Sequence, residues 1–475
     1  MRRSVYISLI ILASLATAIY LASCGSGTQS ISTTATSVNV HVSDPATCGA
    51  PQGQFSHVYV TITDVLIHQS ATAAVNDAGW VDLTPDLKGA PMQIDMLGLA
   101  TNQCFLATLG STGIQPGTYQ QIRVMLADNS ATVAGNKCGS AANCVMLTSD
   151  LSNTPHALLL SSESKTGIKI PSGQLAGGQF TVAAGQVKDL NIDFNACASV
   201  VVLGNGQFRL KPVLHAGEVS TTSASISGTV LDGVTRLPIV GGTTVVALEQ
   251  KDIHNVDRVI METVAGANGA FVFCPVPAGT YDVVVTAINA AGTSYAATVI
   301  TGVQPGNSLG NVPLTAAALP ASIKGQVTTS TGSAATPADL ELSALQSITV
   351  NATNVLITTP LPQLPAATAT LVTAPAVAPA TCPANTDCVS YTLAVPAANP
   401  SVGAFVTTGN QTPAPPPAGT VTYTMDALAF VPGSAGVANC NPAALQTVQT
   451  SASTPLTATA GISVTAATMA FTGCQ

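Results

Sequence analysis

The sequence predicts an all-β protein built of tandem antiparallel β-sandwich domains, and three observations predict it. Charged residues make up only 8% of the chain and hydrophobic ones 47%, where a typical globular domain carries roughly 25% charge. Apolar residues alternate with polar ones in short runs, the period of half-buried strands, and seldom recur at helical spacing. The runs are punctuated by turn residues, 40 Gly and 30 Pro among 475. Coiled coils and helical bundles need Glu, Lys, Arg and Leu in bulk, and these are scarce. Nucleic acid is an unsuitable partner. Lys plus Arg number 14 against 22 Asp plus Glu, and the only basic cluster is Arg2-Arg3, so nothing would neutralise a phosphate backbone.

The elements follow in order. Arg2 and Arg3 precede an uncharged run from Val5 to Ala22, which ends in Leu21-Ala22-Ser23-Cys24-Gly25. An aliphatic residue, two small ones and a Cys resemble the lipobox of bacterial lipoproteins. Small residues let a peptidase thread extended backbone, and the Cys24 thiol is the nucleophile that accepts the lipid. Residues 1–23 are therefore expected to be a lipoprotein signal peptide. One acyl chain anchors only marginally, at roughly 0.8 kcal/mol per buried CH2, but a mature lipoprotein carries more than one. Gly25 in place of Asp resembles the sorting pattern for the outer membrane. Residues 24–37, rich in Gly, Ser and Thr, read as a flexible tether.

The first folded unit spans 38–219. Val38-Asn39-Val40-His41-Val42, Val58-Tyr59-Val60-Thr61-Ile62 and Ile122-Arg123-Val124-Met125-Leu126 alternate strictly, as do strands with one wet face. Further strands are expected at Val187 to Phe194 and Phe208 to Leu214, with one short helix at Ile94 to Leu99. The second unit spans 224–315. It opens with Ala224-Ser225-Ile226-Ser227-Gly228-Thr229-Val230 and contains Gly269-Ala270-Phe271-Val272-Phe273 and Pro277-Ala278-Gly279-Thr280-Tyr281. The third, 320–475, opens with Ala321-Ser322-Ile323-Lys324-Gly325-Gln326-Val327, matching the start of the second at five of seven positions. Its Pro417-Ala418-Gly419-Thr420 repeats a second motif, so it reads as a degenerate sandwich with Pro/Ala/Thr-rich insertions. It carries only five charged residues, Lys324, Asp339, Glu341, Asp387 and Asp426.

Two family resemblances rest on these residues. Residues 38–219 resemble the DUF4382 family of bacterial envelope proteins. The matching stretches include Val42-Ser43-Asp44-Pro45, Gly79-Trp80-Val81-Asp82-Leu83, Pro116-Gly117-Thr118-Tyr119 and Ile192-Asp193-Phe194-Asn195-Ala196. That family's function is unknown, so the resemblance implies no chemistry. Residues 224–315 resemble the carboxypeptidase regulatory-like domain, a transthyretin-like sandwich. The resemblance implies a binding-type fold related to carbohydrate-binding sandwiches, an analogy of fold and not of site.

Eleven Cys less the lipidated one leave ten, an even number, in a compartment that permits disulfides. Cys138 and Cys144, and Cys382 and Cys388, share a Cys-x5-Cys spacing suited to closing a loop. Cys440 and Cys474 pair by elimination, and Cys48 and Cys104 are expected to bridge two loops of the first unit. Cys197 and Cys274 either pair across the unit boundary or stay as thiols. Zinc sites want closer Cys spacing with His nearby, and no Cys-x-x-Cys occurs.

Catalytic signatures are missing. There is no Gly-x-Ser-x-Gly elbow, P-loop or His-Glu-x-x-His, and the six His are scattered. Acidic residues of the first unit fall mostly at strand ends, where Asp caps turns. Asp44 and Asp193 are the candidates for a polar or Ca²⁺-binding site, although no Asp-x-Asp-x-Asp run supports calcium. Trp80, the single Trp, is either core or a sugar-stacking platform. The reading is a non-enzymatic, lipid-anchored protein of the bacterial envelope, with no catalytic residue, no metal and no cofactor. Its partners would be the membrane, through the lipid, and a protein or polysaccharide.

Overall fold

A computed structural model describes residues 36–44, 55–71, 73–98, 104–160, 163–171, 175–194, 196–202, 206–210, 214–219, 224–239, 242–252, 255–336, 339–350, 352–361, 371–373, 382–430 and 455–474. The protein is all-β, and the described residues form one compact unit. Among the described residues the helical segments are single turns at Pro85–Lys88, Ala176–Gly178 and Ala196–Ser199. None is long and apolar enough to cross a membrane. The expected helix at Ile94 to Leu99 is not formed. Met92–Asp95 is a strand whose Ile94 pairs with Val60. Its two-turn apolar pattern has too few residues to repay helix nucleation, while the long neighbouring strand offers a ladder.

The first unit is a two-sheet sandwich. One sheet has the order Leu214–Val219, Val187–Phe194, Ser37–Ser43, Ala107–Gly113, and its central pair is parallel. The other is built around the fourteen-residue strand Phe55–His68. Val38, Val40, Val42, Leu190, Ile192 and Phe194 point into one core with Val58, Val60, Ile62 and Val124.

The second unit packs a three-stranded sheet (Ala270–Phe273, Ile226–Asp232, Ser308–Leu314) against Thr298–Val303, Tyr281–Ile288, Thr243–Lys251 and Val256–Val264. Phe271, Phe273 and Tyr281 fill that core. The Tyr281 hydroxyl donates to the Pro277 carbonyl at 2.8 Å. Tyr119 does the same to Gln115 at 2.7 Å, so both Gly-Thr-Tyr segments make a corner tied back four residues, as in other sandwiches.

The repeat seen in the sequence has a structural counterpart. Gly228 lies opposite Phe271, and Gly325 opposite Tyr391. A Cβ on Gly228 would come within 2.8 Å of the Phe271 ring, and one on Gly325 would collide with the Tyr391 hydroxyl. In both units an aromatic ring fills the groove a glycine leaves on the neighbouring strand.

The third unit does not simply follow the second in series. Ala321–Thr329 and Asp387–Val395 form their own sheet over a core with Leu342, Tyr423 and Met425. Yet Thr353–Thr358 pairs in parallel with Val256–Val264, and Ser401–Ala404 with Thr298–Val303. Strands of the third unit thus cover both edges of the second unit's four-stranded sheet and give a ten-stranded sheet. An open edge is a template for aggregation, and these edges are closed from within the chain.

Candidate functional site

The alternation of Ser37–Ser43 and Val187–Phe194 sends Val38, Val40, Val42, Leu190, Ile192 and Phe194 into the first core, while Val187 at the strand's start is exposed. The other face carries Asn39, His41, Ser43, Asp189, Asn191 and Asp193. Register places Asn39 beside Asp189, His41 beside Asn191, and Ser43 beside Asp193, which in turn faces His215. The sequence alternation reads as a wet face. Instead His41, Ser43, Asp189, Asn191, Asp193 and His215 are all buried.

Hydrogen bonds hold the rows. Asn39 Nδ2 donates to Asp189 Oδ1 at 2.8 Å, and His41 Nε2 lies 3.2 Å from the same oxygen. The His41 ring stacks on Phe105 with centroids 4.1 Å apart. Asn191 Nδ2 donates to Ser43 Oγ at 2.8 Å, and Ser43 Oγ donates to Asp193 Oδ1 at 3.2 Å.

The second unit supplies the cover. Gly217 packs so closely on Pro277 that an added Cβ would lie 2.8 Å from its ring. The Ala278 N–H donates to the Glu218 carbonyl at 3.2 Å. A crevice of about 10 Å³ lies at the junction, walled by Asn191, Asp193 and His215 on one side and Ile260, Met261 and Pro277 on the other. That is room for about one water molecule and no larger ligand.

Cys104 is bonded to Cys274, with Cα atoms 5.2 Å apart. The expected Cys48–Cys104 bridge is therefore not made, and Cys274 neither pairs with Cys197 nor stays a thiol. Strand spacing gave no view of how the first two units dock, and docking brings these two thiols together. Cys138–Cys144 and Cys382–Cys388 are bonded as their spacing predicts. Cys474 is disulfide-bonded; Cys24, Cys48 and Cys440 lie outside the described residues.

The structure brings Asp44 and Asp193 together at the ends of the two parallel strands. Burial pushes the Asp44 carboxyl well up, and the nearby Asp193 raises it further. Burial also lifts Asp193 to about 7, against the Ser43 hydroxyl, and pushes His215 down to about 4. Each shift favours the neutral form, as desolvation requires. Asp44 Oδ2, Asp193 Oδ2 and Asn191 Oδ1 have no hydrogen-bond partner, a costly condition for buried oxygen. Among the described residues no group of three or more His, Cys, Asp or Glu is placed to hold a metal ion.

Ser43, Asp193 and His215 form a row across three strands, which invites comparison with a hydrolytic triad. The order differs. In a triad the imidazole sits between serine and carboxylate and takes the serine proton. Here Asp193 lies between, and the Ser43 hydroxyl donates a hydrogen bond to its Oδ1.

Trp80 is not part of this face. Its Nε1 donates to the Ala74 carbonyl at 2.8 Å, and its ring packs on His68 and under the Arg123 guanidinium, 5.2 Å away. Sequence reasoning overlooked His41, Asn191 and His215. The available signal was the type of polar residue: Asn, His, Ser and Asp fill these alternate positions, where a solvated strand face more often carries Lys, Thr or Gln.

Residues 35–212 match the family described as "Domain of unknown function (DUF4382)". No curated protein matches the chain. Similar solved structures include the TIE protein of Bacillus anthracis, at 7% identity, covering 92% of this chain and 51% of that one with a TM-score of 0.15. A leucine-rich repeat protein from Bacteroides thetaiotaomicron has 9% identity over 53% of this chain and 26% of its own, TM-score 0.21. A streptococcal ancillary pilin has 8% identity over 91% and 98%, TM-score 0.15. The chain thus spans about half the length of the first and about a quarter of the second. Scores this low carry no argument about fold or function.

Proposed function

We propose that this chain is a non-enzymatic, lipid-anchored module of the bacterial cell envelope, held at the outer membrane through Cys24, that acts as a rigid structural, adhesive or partner-binding element. The observation that carries the reading is the interlocking of its units. A disulfide joins the first two, and strands of the third close both sheet edges of the second. Such construction suits a body that must present loops at a fixed geometry outside the cytosol. The second unit is proposed as a carboxypeptidase regulatory-like domain serving as the central spacer, its Gly228–Phe271 and Pro277–Tyr281 contacts supporting that reading. The polysaccharide-binding alternative draws no support from Trp80, whose indole N–H and ring are engaged inside the first unit.

The test is metabolic labelling with radioactive palmitate in cells carrying the wild-type chain or Cys24→Ser. Label in the wild type only, fractionating with outer membranes, is expected. An unlabelled wild type would remove the anchor. A pull-down from envelope extracts beside a glycan array then separates a protein partner from a polysaccharide.

A further inference from the structure

A second buried acidic cluster lies where the third unit docks on the second unit's sheet. Val246 and Leu248 of Thr243–Lys251 enter the core, so Glu249 faces the opposite side by strand alternation. Its neighbour across the ladder is Asp282. Glu249 and Asp257 are both buried, and Asp282 lies near enough for its charge to add to burial in raising the Asp257 carboxyl. Carboxylates buried side by side repel, which favours their keeping protons.

The third unit sits directly on this cluster. The Thr358 N–H donates to Glu249 Oε2 at 3.1 Å, and Thr358 Oγ1 donates to the Asp257 carbonyl at 2.8 Å. The strand pairing at the joint is short, only Val256 with Leu356 and Asp257 with Ile357. Facing the cluster are Lys251 and Arg258 as cations and Asp252 and Asp426 as further acids. Arg258 is engaged by both Asp252 and Asp426. Glu262, opposite Ala247 on the same face, is buried too; six carboxyls thus confront two cations, and Glu249 Oε1 and Asp257 Oδ2 have no hydrogen-bond partner.

We propose that this joint is a proton-held latch, closed while Glu249 and Asp257 retain protons and loosened when they give them up to water. Ionised Glu249 still accepts from Thr358, so the latch fails by mutual repulsion and by water entering toward buried charge. The electrostatics agree. Burial, then the charge of Asp282, lifts Asp257 to about 7. Burial, then Asp257, pushes Glu249 well up, and burial raises Asp282. Groups raised in the closed state favour closure fully below the ordinary carboxylate range of about 4, and that contribution is lost as pH rises through about 7.

Hydrogen exchange of the full chain between pH 5 and pH 8 tests this, after correction for base-catalysed intrinsic exchange. Amides of 355–359 are expected to open about a hundredfold more at pH 8 than at pH 5, relative to core amides of 283–285. Glu249→Gln and Asp257→Asn, which imitate the protonated groups, are expected to flatten the profile. A flat wild-type profile, which needs no variant, would overturn the proposal. So would a slope that survives in both variants, or protection restored at pH 8 by calcium chloride, which would make a cation and not the proton the closing element.

Discussion

Removing the bridge between the first two units tests how the molecule is held together. In the loop-closure picture a disulfide stabilises by restricting the unfolded chain, and its effect grows with the logarithm of the loop closed. Cys104–Cys274 closes a sequence separation of 170, Cys138–Cys144 one of only 6. The relation gives about 5 kcal/mol for the first and about 2 kcal/mol for the second. Native contacts near the bridge should survive its loss, because Phe105 remains stacked on His41 and Phe273 remains in the second core. The difference therefore falls mainly on the unfolded chain and on the docking of the two units. The assay is urea denaturation of Cys104→Ser/Cys274→Ser beside Cys138→Ser/Cys144→Ser. Fluorescence of the single Trp80 follows the first unit, and circular dichroism follows the whole chain. A loss for the long-range pair no greater than that for the short-range pair would refute the reasoning.

Four further outcomes are expected. Gly325→Ala should cost about 1–3 kcal/mol by overpacking against Tyr391, read as a lowered urea midpoint. Tyr281→Phe should cost about 1 kcal/mol by leaving the Pro277 carbonyl without its hydroxyl donor, seen in the same titration. Trp80→Ala should lower the melting temperature by removing the indole's bond to Ala74 and its contact with Arg123; a variant that lost glycan binding at unchanged melting temperature would contradict the packing role. The pH dependence has a definite sign. Asp193, raised to about 7, contributes stability that is present below about pH 4 and is lost as pH rises through about 7. His215, lowered to about 4, contributes stability present above about 6.5 and lost as pH falls through about 4. Above about pH 6.5 the His215 slope is gone and that of Asp193 persists to about pH 7 beside that of Asp257, so Asp193→Asn should lessen the slope there without abolishing it in a pH series of denaturation curves.

Much of the architecture was legible along the chain. Alternation in Val38 to Val42 and Val58 to Ile62 marked strands, and both sets enter one core. The glycine of Ile-x-Gly-x-Val recurred 97 residues on, and in both units it faces an aromatic across the ladder. Asp44 and Asp193 were legible as polar candidates, and they do meet. The short helix at 94–99 was misread because an apolar run of that length fits either a helix turn or a strand, and only the neighbouring strand decides.

Sequence by itself determined which side chains alternate, where turns fall, and which cysteines are near enough along the chain to close a small loop. Those are local properties, set by the pleat, by backbone freedom at glycine and by chain length between thiols. Tertiary structure alone decided that the polar face of the first unit is covered by the second, that Cys104 meets Cys274, and that the third unit closes the second unit's sheet. Each depends on what lies against a surface, and a strand's period says that it has two faces without saying whether the polar one meets water or another sheet.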